Sequence, residues 1–253
     1  MLKTRIIPTL LYRDYGLVKG VGFDSWRHVG SLMQSIKVYN MRNVDELIIV
    51  DIKATKDGRE PDFNWVNDFA DDCFMPLTVG GGVSCLDHVG KLLDVGADKV
   101  AMNTSAFDNP KLINQVASKF GSQCAVISID FSRRADGYLE VVTHSGTNKR
   151  QMNLIDFARL AENQGAGEIL LTSVDRDGTM QGYDLKAIKA VSDAVSIPVI
   201  ASGGAGSYEH MLESIQQAGA SAVAAASIFH FTEQTPAEAR AHLAKAGIPV
   251  RQN

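Results

Sequence analysis

Asp130 ends the apolar run AVISID (Ala125–Asp130), and two glycine pairs, Gly81-Gly82 and Gly203-Gly204, each open a stretch of helical character. These are the residues whose types and spacing best suit chemistry. A glycine-rich turn leaves backbone N–H groups unpaired at a helix start and lets an anion come close to the backbone, so each pair could hold a phosphate. One strand later each is followed by small polar residues, Asn103-Thr104 after the first pair and Ser227 after the second. Two such units suggest a long ligand with a phosphate at each end. The plainer alternative is that the glycines only make tight turns, with Ser84 and Ser207 as ordinary helix caps. An aspartate at a strand end beside such a ligand is placed to exchange protons with it.

Those residues need a frame that brings them to one place. Eight short apolar runs are expected as strands: Arg5–Leu11, Glu46–Asp51, Pro76–Val79, Lys99–Met102, Ala125–Asp130, Glu168–Thr172, Pro198–Ala201 and Ala222–Ala225. They alternate with helix candidates at Ser31–Met41, Phe63–Ala70, Leu86–Val95, Pro110–Phe120, Asn153–Gln164, Leu185–Val195, Tyr208–Gln217 and Pro236–Ala246. Near-continuous apolar strands alternating with amphipathic helices imply a parallel sheet covered by helices, and a count of eight favours closure into a (β/α)8 TIM barrel. The chain also repeats. GGGVSCLDHVGKLLDVGADKVAMNTSAF (Gly80–Phe107) parallels SGGAGSYEHMLESIQQAGASAVAAASIF (Ser202–Phe229), an offset of about half the chain. The expectation is one domain over 1–253, made of duplicated half-barrels of about 1–122 and 123–253.

Composition narrows the function classes. With 253 residues, 45% hydrophobic and 21% charged, the chain can bury a large core, and a net charge of −4 gives no reason to expect nucleic acid or an anionic membrane as partner. Cys73, Cys85 and Cys124 are odd in number and widely spaced, which predicts reduced, buried thiols. No leader-like or membrane-length apolar segment is evident, so a cytoplasmic protein is expected. His28, His88, His144, His210, His230 and His242 lack metal-ligand spacing, so neither metal nor cofactor is expected. His144, in THSG, lies near the expected mouth, and Trp26 could cover it or simply pack.

The segments VGGGV, GADKVAMNTSAF, FGSQCAVISID, GAGEILLTSVDRDGTMQGYD and IASGGAG resemble the HisF family, cyclase subunits of imidazole glycerol phosphate synthase, and the resemblance runs through essentially the whole chain. It implies a ribulose-phosphate-binding type of barrel that takes a bisphosphorylated ribonucleotide. A HisH-like glutaminase would dock at the N-terminal face and send ammonia through the barrel to close an imidazole ring. One phosphate would be held by Gly82, Asn103 and Thr104, and the other by Asp177, Gly178, Gly204, Ala226 and Ser227. Thr172 and Ser202 would line the cleft, Lys19 would close over the ligand from a flexible loop, and Asp130 would be a catalytic carboxylate. Arg5, Glu46, Lys99 and Glu168, each opening a strand, would form an ion-paired gate for ammonia. Strand parity is consistent with this, since Arg5 and Leu11 are six apart and share a face.

The same resemblance exposes a departure. The family carries a second catalytic aspartate at the end of the first strand, where RIIPTLLYRDYGLVKG has Leu11. Leucine transfers no proton, and Asp14 lies in the following loop at the other parity. Pro8 is also unexpected in a strand paired on both sides. With Leu11 in that place the chain resembles HisF-like paralogues that accompany a glutaminase and a separate amidating enzyme, and that resemblance implies a subunit that delivers ammonia to a phosphorylated acceptor, in amidation of a surface sugar for polysaccharide biosynthesis. The alternatives are a true cyclase of histidine biosynthesis and a non-catalytic activator of the glutaminase.

Overall fold

The computed structural model describes residues 3–251. Along the chain the order is β1 (Arg5–Arg13), β2 (Gly16–Val21), β3 (Asp24–Ser31), α1 (Leu32–Met41), β4 (Leu47–Asp51), α2 (Phe63–Ala70), β5 (Leu77–Gly80), α3 (Leu86–Asp94), β6 (Lys99–Met102), α4 (Thr104–Asp108) and α5 (Lys111–Phe120). It continues with β7 (Ala125–Arg133), β8 (Leu139–Thr143), β9 (Asn148–Asn153), α6 (Leu154–Asn163), β10 (Glu168–Ser173), α7 (Leu185–Ser192), β11 (Val199–Ser202), α8 (Tyr208–Gln216), β12 (Ala222–Ala225), α9 (Ser227–Phe231) and α10 (Pro236–Lys245). Strands β10, β11, β12, β1, β4, β5, β6 and β7 pair side by side in parallel, and β7 pairs back to β10, so the ring closes. This is a (β/α)8 barrel, with every expected strand and helix within a few residues of its observed bounds.

Alternation of side chains builds two cores. Odd positions of β1 point into the barrel, where Ile7 meets Ile48, Val126, Leu170, Ile200 and Ala224. Even positions point outward, so Ile6, Leu10 and Tyr12 are buried beneath the helices with Phe69, Phe157 and Leu243. The helices start where their sequences say they should. Asp62 accepts from Trp65 N at 3.0 Å, Asp184 from Ala187 N at 3.1 Å, and Thr235 and Glu238 form a capping box ahead of α10 with Pro236 in its first turn.

Two hairpins, β2–β3 and β8–β9, were not expected. They extend β1 and β7 beyond the barrel by antiparallel pairing. The β1–β2 turn is only Asp14 and Tyr15, both left-handed at φ 50° and 64°, and the β2–β3 turn is Gly22-Phe23, both at φ 60°. Such two-residue turns normally announce themselves with Asn-Gly or Asp-Gly; tyrosine and phenylalanine in the left-handed region give no such signal. Lys19 therefore belongs to a strand and is buried, not to a flexible loop. The thiols also differ from expectation, with Cys124 buried, Cys73 partly exposed and Cys85 exposed.

Pro8 fits because of where β1 changes neighbours. Residues 5–8 register with β12 and residues 9–12 with β4, so the missing N–H falls at the handover between two ladders. The N-terminal end of the barrel is held by a buried pair. Asp45 accepts from Ile6 N at 2.9 Å and from Arg240 Nη1 at 3.1 Å, and Arg240 also reaches Arg42 O, which ties α10 to β1. Removing one partner strands the other charge. Asp45→Ala is expected to lower the unfolding free energy by about 3–5 kcal/mol, read as a shift in the urea midpoint.

Candidate active site

The barrel axis carries three layers. At the N-terminal end, Arg5 Nη1 meets Glu46 Oε2 at 2.6 Å and its Nη2 meets Glu168 Oε1 at 2.7 Å. Lys99 Nζ completes the ring at 3.1 Å from Glu46 and 3.0 Å from Glu168. Thr78 Oγ1 donates to Glu46 at 2.9 Å. Burial acts to lower the Arg5 guanidinium's pKa, but Glu168 and Glu46 together raise it above its ordinary value. Four charges of alternating sign thus close the barrel base. Above them lies the apolar layer around Ile7, Ile48 and Ile200, narrowed less on the side of Ala101, Ala222 and Ala224.

At the other end the strand termini and loops line one cavity. Asp130 sits in its wall, with Asn103 Nδ2 donating to Oδ2 at 3.1 Å and to Ser128 O at 2.9 Å. Burial, then the charge of Asp177, raises Asp130 to about 7, against the opposing hydrogen bond from Thr172. A carboxyl near neutrality can both give and take a proton at ordinary pH. Asp177 is likewise raised, to about 6, chiefly by burial, while Lys19 and the Gly178 N–H pull it down.

The two glycine turns face each other across this mouth. Gly81 and Gly82 have φ of +105° and +72°, and Gly203 and Gly204 have +85° and +110°. A Cβ at Gly204 would lie 2.2 Å from Gly182 O, so no other residue fits there without moving backbone. The units agree in smaller detail as well. His88 Nδ1 accepts from Ser84 N at 3.4 Å and His210 Nδ1 from Gly206 N at 3.2 Å. Asn103 (φ −114°, ψ −86°) and Ala226 (φ −131°, ψ −70°) make the same sharp bend into α4 and α9.

Gly82, Asn103, Thr104, Thr172, Asp177, Gly178, Ser202, Gly204, Ala226 and Ser227 all line the cavity with Asp130. Lys19 does not. Its Nζ donates to Thr9 O at 3.2 Å, and burial lowers it to about 8 against the attraction of Asp177. Leu11 does line the cavity, so the second strand-end position presents hydrocarbon to the ligand space. Sequence reasoning missed Asp51, Thr9, Thr55, Phe23 and Ser145 as lining residues. The strand-end rule applied to Asp130 would have found Asp51, because it closes β4 in the same way. Phe23 and Ser145 come from the hairpins and carried no signal. Trp26 lines the cavity too, and Phe23 lies against Gly146 of the opposite hairpin turn. His144 is tied in through its N–H to Thr104 Oγ1 at 3.1 Å.

A family model described as histidine biosynthesis protein matches residues 5–235. The chain belongs to this family. A curated relative, the imidazole glycerol phosphate synthase subunit HisF of Hyphomonas neptunium (strain ATCC 15444), is 51% identical over 251 residues, covering 99% of both chains. Membership in a histidine biosynthesis family corrects the balance of the sequence reading: it supports the ring-closing alternative, and amidation of a surface sugar gains nothing from it. Among the described residues no helix is long and apolar enough to cross a membrane, and no cluster of His, Cys, Asp or Glu is arranged to hold a metal.

The raised Asp130 has a sign that can be checked. Folded, it holds its proton to about pH 7, whereas unfolded it releases it near 3.8. Its contribution to stability is therefore complete below pH 4 and is lost as pH rises through 7. Asp130→Asn should match the parent in unfolding free energy at pH 4 and exceed it by about 2–4 kcal/mol at pH 8, measured by urea denaturation at both values.

Proposed function

We propose that this chain is the ammonia-using, ring-closing subunit of an imidazole glycerol phosphate synthase, binding a bisphosphorylated ribonucleotide across the barrel mouth. The observation that carries the reading is the alignment on one axis of a closed ring of ions at the base, an apolar passage, and a neutral-range carboxyl between two glycine turns at the top. Gly82, Asn103 and Thr104 hold one phosphate and Gly178, Gly204, Ala226 and Ser227 the other. Thr172 and Ser202 contact the substrate between them, and Asp130 transfers protons at the reacting atoms. Lys19 contributes positive charge from beneath the hairpin, since its ammonium does not reach the cavity wall. The matching bends and imidazole contacts of the two units support an origin of the barrel by duplication of a half.

Arg5, Glu46, Lys99 and Glu168 act as the gate through which ammonia enters from a glutaminase partner. Two large apolar side chains near this end support docking there: Phe74 is 85% exposed and Met41 79% exposed, and Phe74 N donates to Asn40 beside Met41. Phe74→Asp is expected to weaken partner binding at least tenfold by calorimetry and to cut glutamine-driven turnover, while turnover with ammonium salt stays within twofold.

Leu11 sets the rate. With one of two proton-handling positions replaced by hydrocarbon, turnover with ammonium salt and the ribonucleotide should be slow, and Leu11→Asp should raise kcat by on the order of 10² to 10⁴. Leu11 also favours a second reading, in which ammonia is handed to a different phosphorylated acceptor. Tight binding of the ribonucleotide with no turnover by either the parent or Leu11→Asp would favour that reading and overturn ring closure.

A further inference from the structure

Among the described residues three carboxylates line the mouth cavity: Asp51, Asp130 and Asp177. Asp51 is fully engaged. Its oxygens accept from Arg59 Nη2 at 3.2 Å, Lys53 N at 2.9 Å and Ala54 N at 3.1 Å, which holds it in place. Asp177 is different: among the described residues its carboxylate takes only the N–H of Gly178, and it feels the charge of Lys19 without a contact ion pair. Among the described residues, Asp130 and Asp177 are the cavity carboxyls without an ion-pair partner, while Asp51 is paired with Arg59.

The position of Asp177 follows from the backbone. β1 and β7 lie on opposite sides of the closed ring, so Leu11 faces Asp130 across the mouth. The turn after β10 carries Asp177 from the Asp130 side toward β1. Asp177 N donates to Ser173 O at 3.0 Å, and Asp177 O accepts from Gly22 N, at the tip of the hairpin that grows out of β1, at 2.9 Å. The next residue makes the clasp tighter, because a Cβ at Gly178 would lie 2.2 Å from Gly20 O. The Asp177 turn thus bridges the end of β10 and the tip of the β2–β3 hairpin, and Asp177 lines the cavity together with Asp130 and Leu11.

We propose that Asp177 is the second proton-handling catalytic residue of this chain, working with Asp130 in place of a carboxylate at position 11. The inference rests on the ring-closing reading above. The pair shares one proton. As the ammonia nitrogen bonds to an electrophilic carbon of the substrate it sheds a proton to the ionised carboxylate, while the protonated partner gives its proton to the group that leaves that carbon. The proton count of the pair is unchanged, and the two carboxyls exchange states. The phosphate on this side then rests on the neighbouring Gly204, Ala226 and Ser227 and not on Asp177, because a carboxylate and a phosphate repel each other. The charged groups facing Asp177 are Asp130 from β7 and Lys19 from β2; burial raises both carboxyls, Asp177 to about 6 against the pull of Lys19 and the Gly178 N–H, and Asp130 to about 7 with the added charge of Asp177.

The test is a double-mutant cycle with the ribonucleotide and ammonium salt: parent, Asp177→Asn, Leu11→Asp, and both together. Asn keeps the size and the backbone contacts of Asp177. The parent should show a narrow bell in kcat, falling below about pH 6 as both carboxyls hold protons and above about pH 7 as both lose them. Asp177→Asn should reduce kcat about 10²-fold with KM within threefold, and should leave one limb, displaced to lower pH because the Asp177 charge no longer raises Asp130. In the Leu11→Asp background the same substitution should cost less than tenfold, since a carboxylate has returned to position 11. An effect of Asp177→Asn on KM alone, or an equal loss of kcat in both backgrounds, overturns the inference and leaves ring closure standing. Turnover by Leu11→Asp with none by the parent does the same. No turnover by any of the four proteins overturns the ring-closing reading itself, and this inference with it.

Discussion

The strict alternation of side chains along a parallel strand is the constraint on which this molecule depends. Because Arg5, Ile7, Thr9 and Leu11 must all point the same way, a charged base, an apolar waist and a polar mouth are stacked on a single axis. The same rule carries Lys99 to Ala101 and Asn103, and Glu168 to Leu170 and Thr172. A shift of one residue in any of these strands would turn an ion toward the helices and an apolar side chain toward the ligand.

Burying four charges at the base is costly unless each is matched, and here each cation meets both anions. The mouth uses the opposite principle. Asp130 and Asp177 are held in enclosed positions without strong countercharges, which lifts both toward neutrality. One end of the barrel is thus electrostatically closed and rigid, and the other keeps groups whose charge can change.

The hairpins connect these ends to the surroundings. β2–β3 covers one edge of the mouth and places Phe23 and Trp26 against the ligand space, while its tip is bonded to the Asp177 turn and packed on the Gly146 turn. Lys19, buried beneath it, feels Asp177 without touching the cavity. Leu11, at the end of the barrel part of β1, presents hydrocarbon to the same cavity.

Much of this was legible in the residues. The eight strand and eight helix candidates, the inward parity of Arg5, Lys99 and Glu168, the paired glycine turns and the apolar character of position 11 follow from local pattern, because period, turn chemistry and strand ends are properties of a few neighbouring residues. The two hairpins were not legible, since their turns rest on Asp14, Tyr15 and Phe23 in left-handed conformations that only the pairing partners stabilise. Nor were the burial of Lys19, the exposure of Cys85, or the difference between an engaged Asp51 and an unengaged Asp177. Protonation and engagement are set by groups far apart in sequence, and only closure of the barrel brings those groups together.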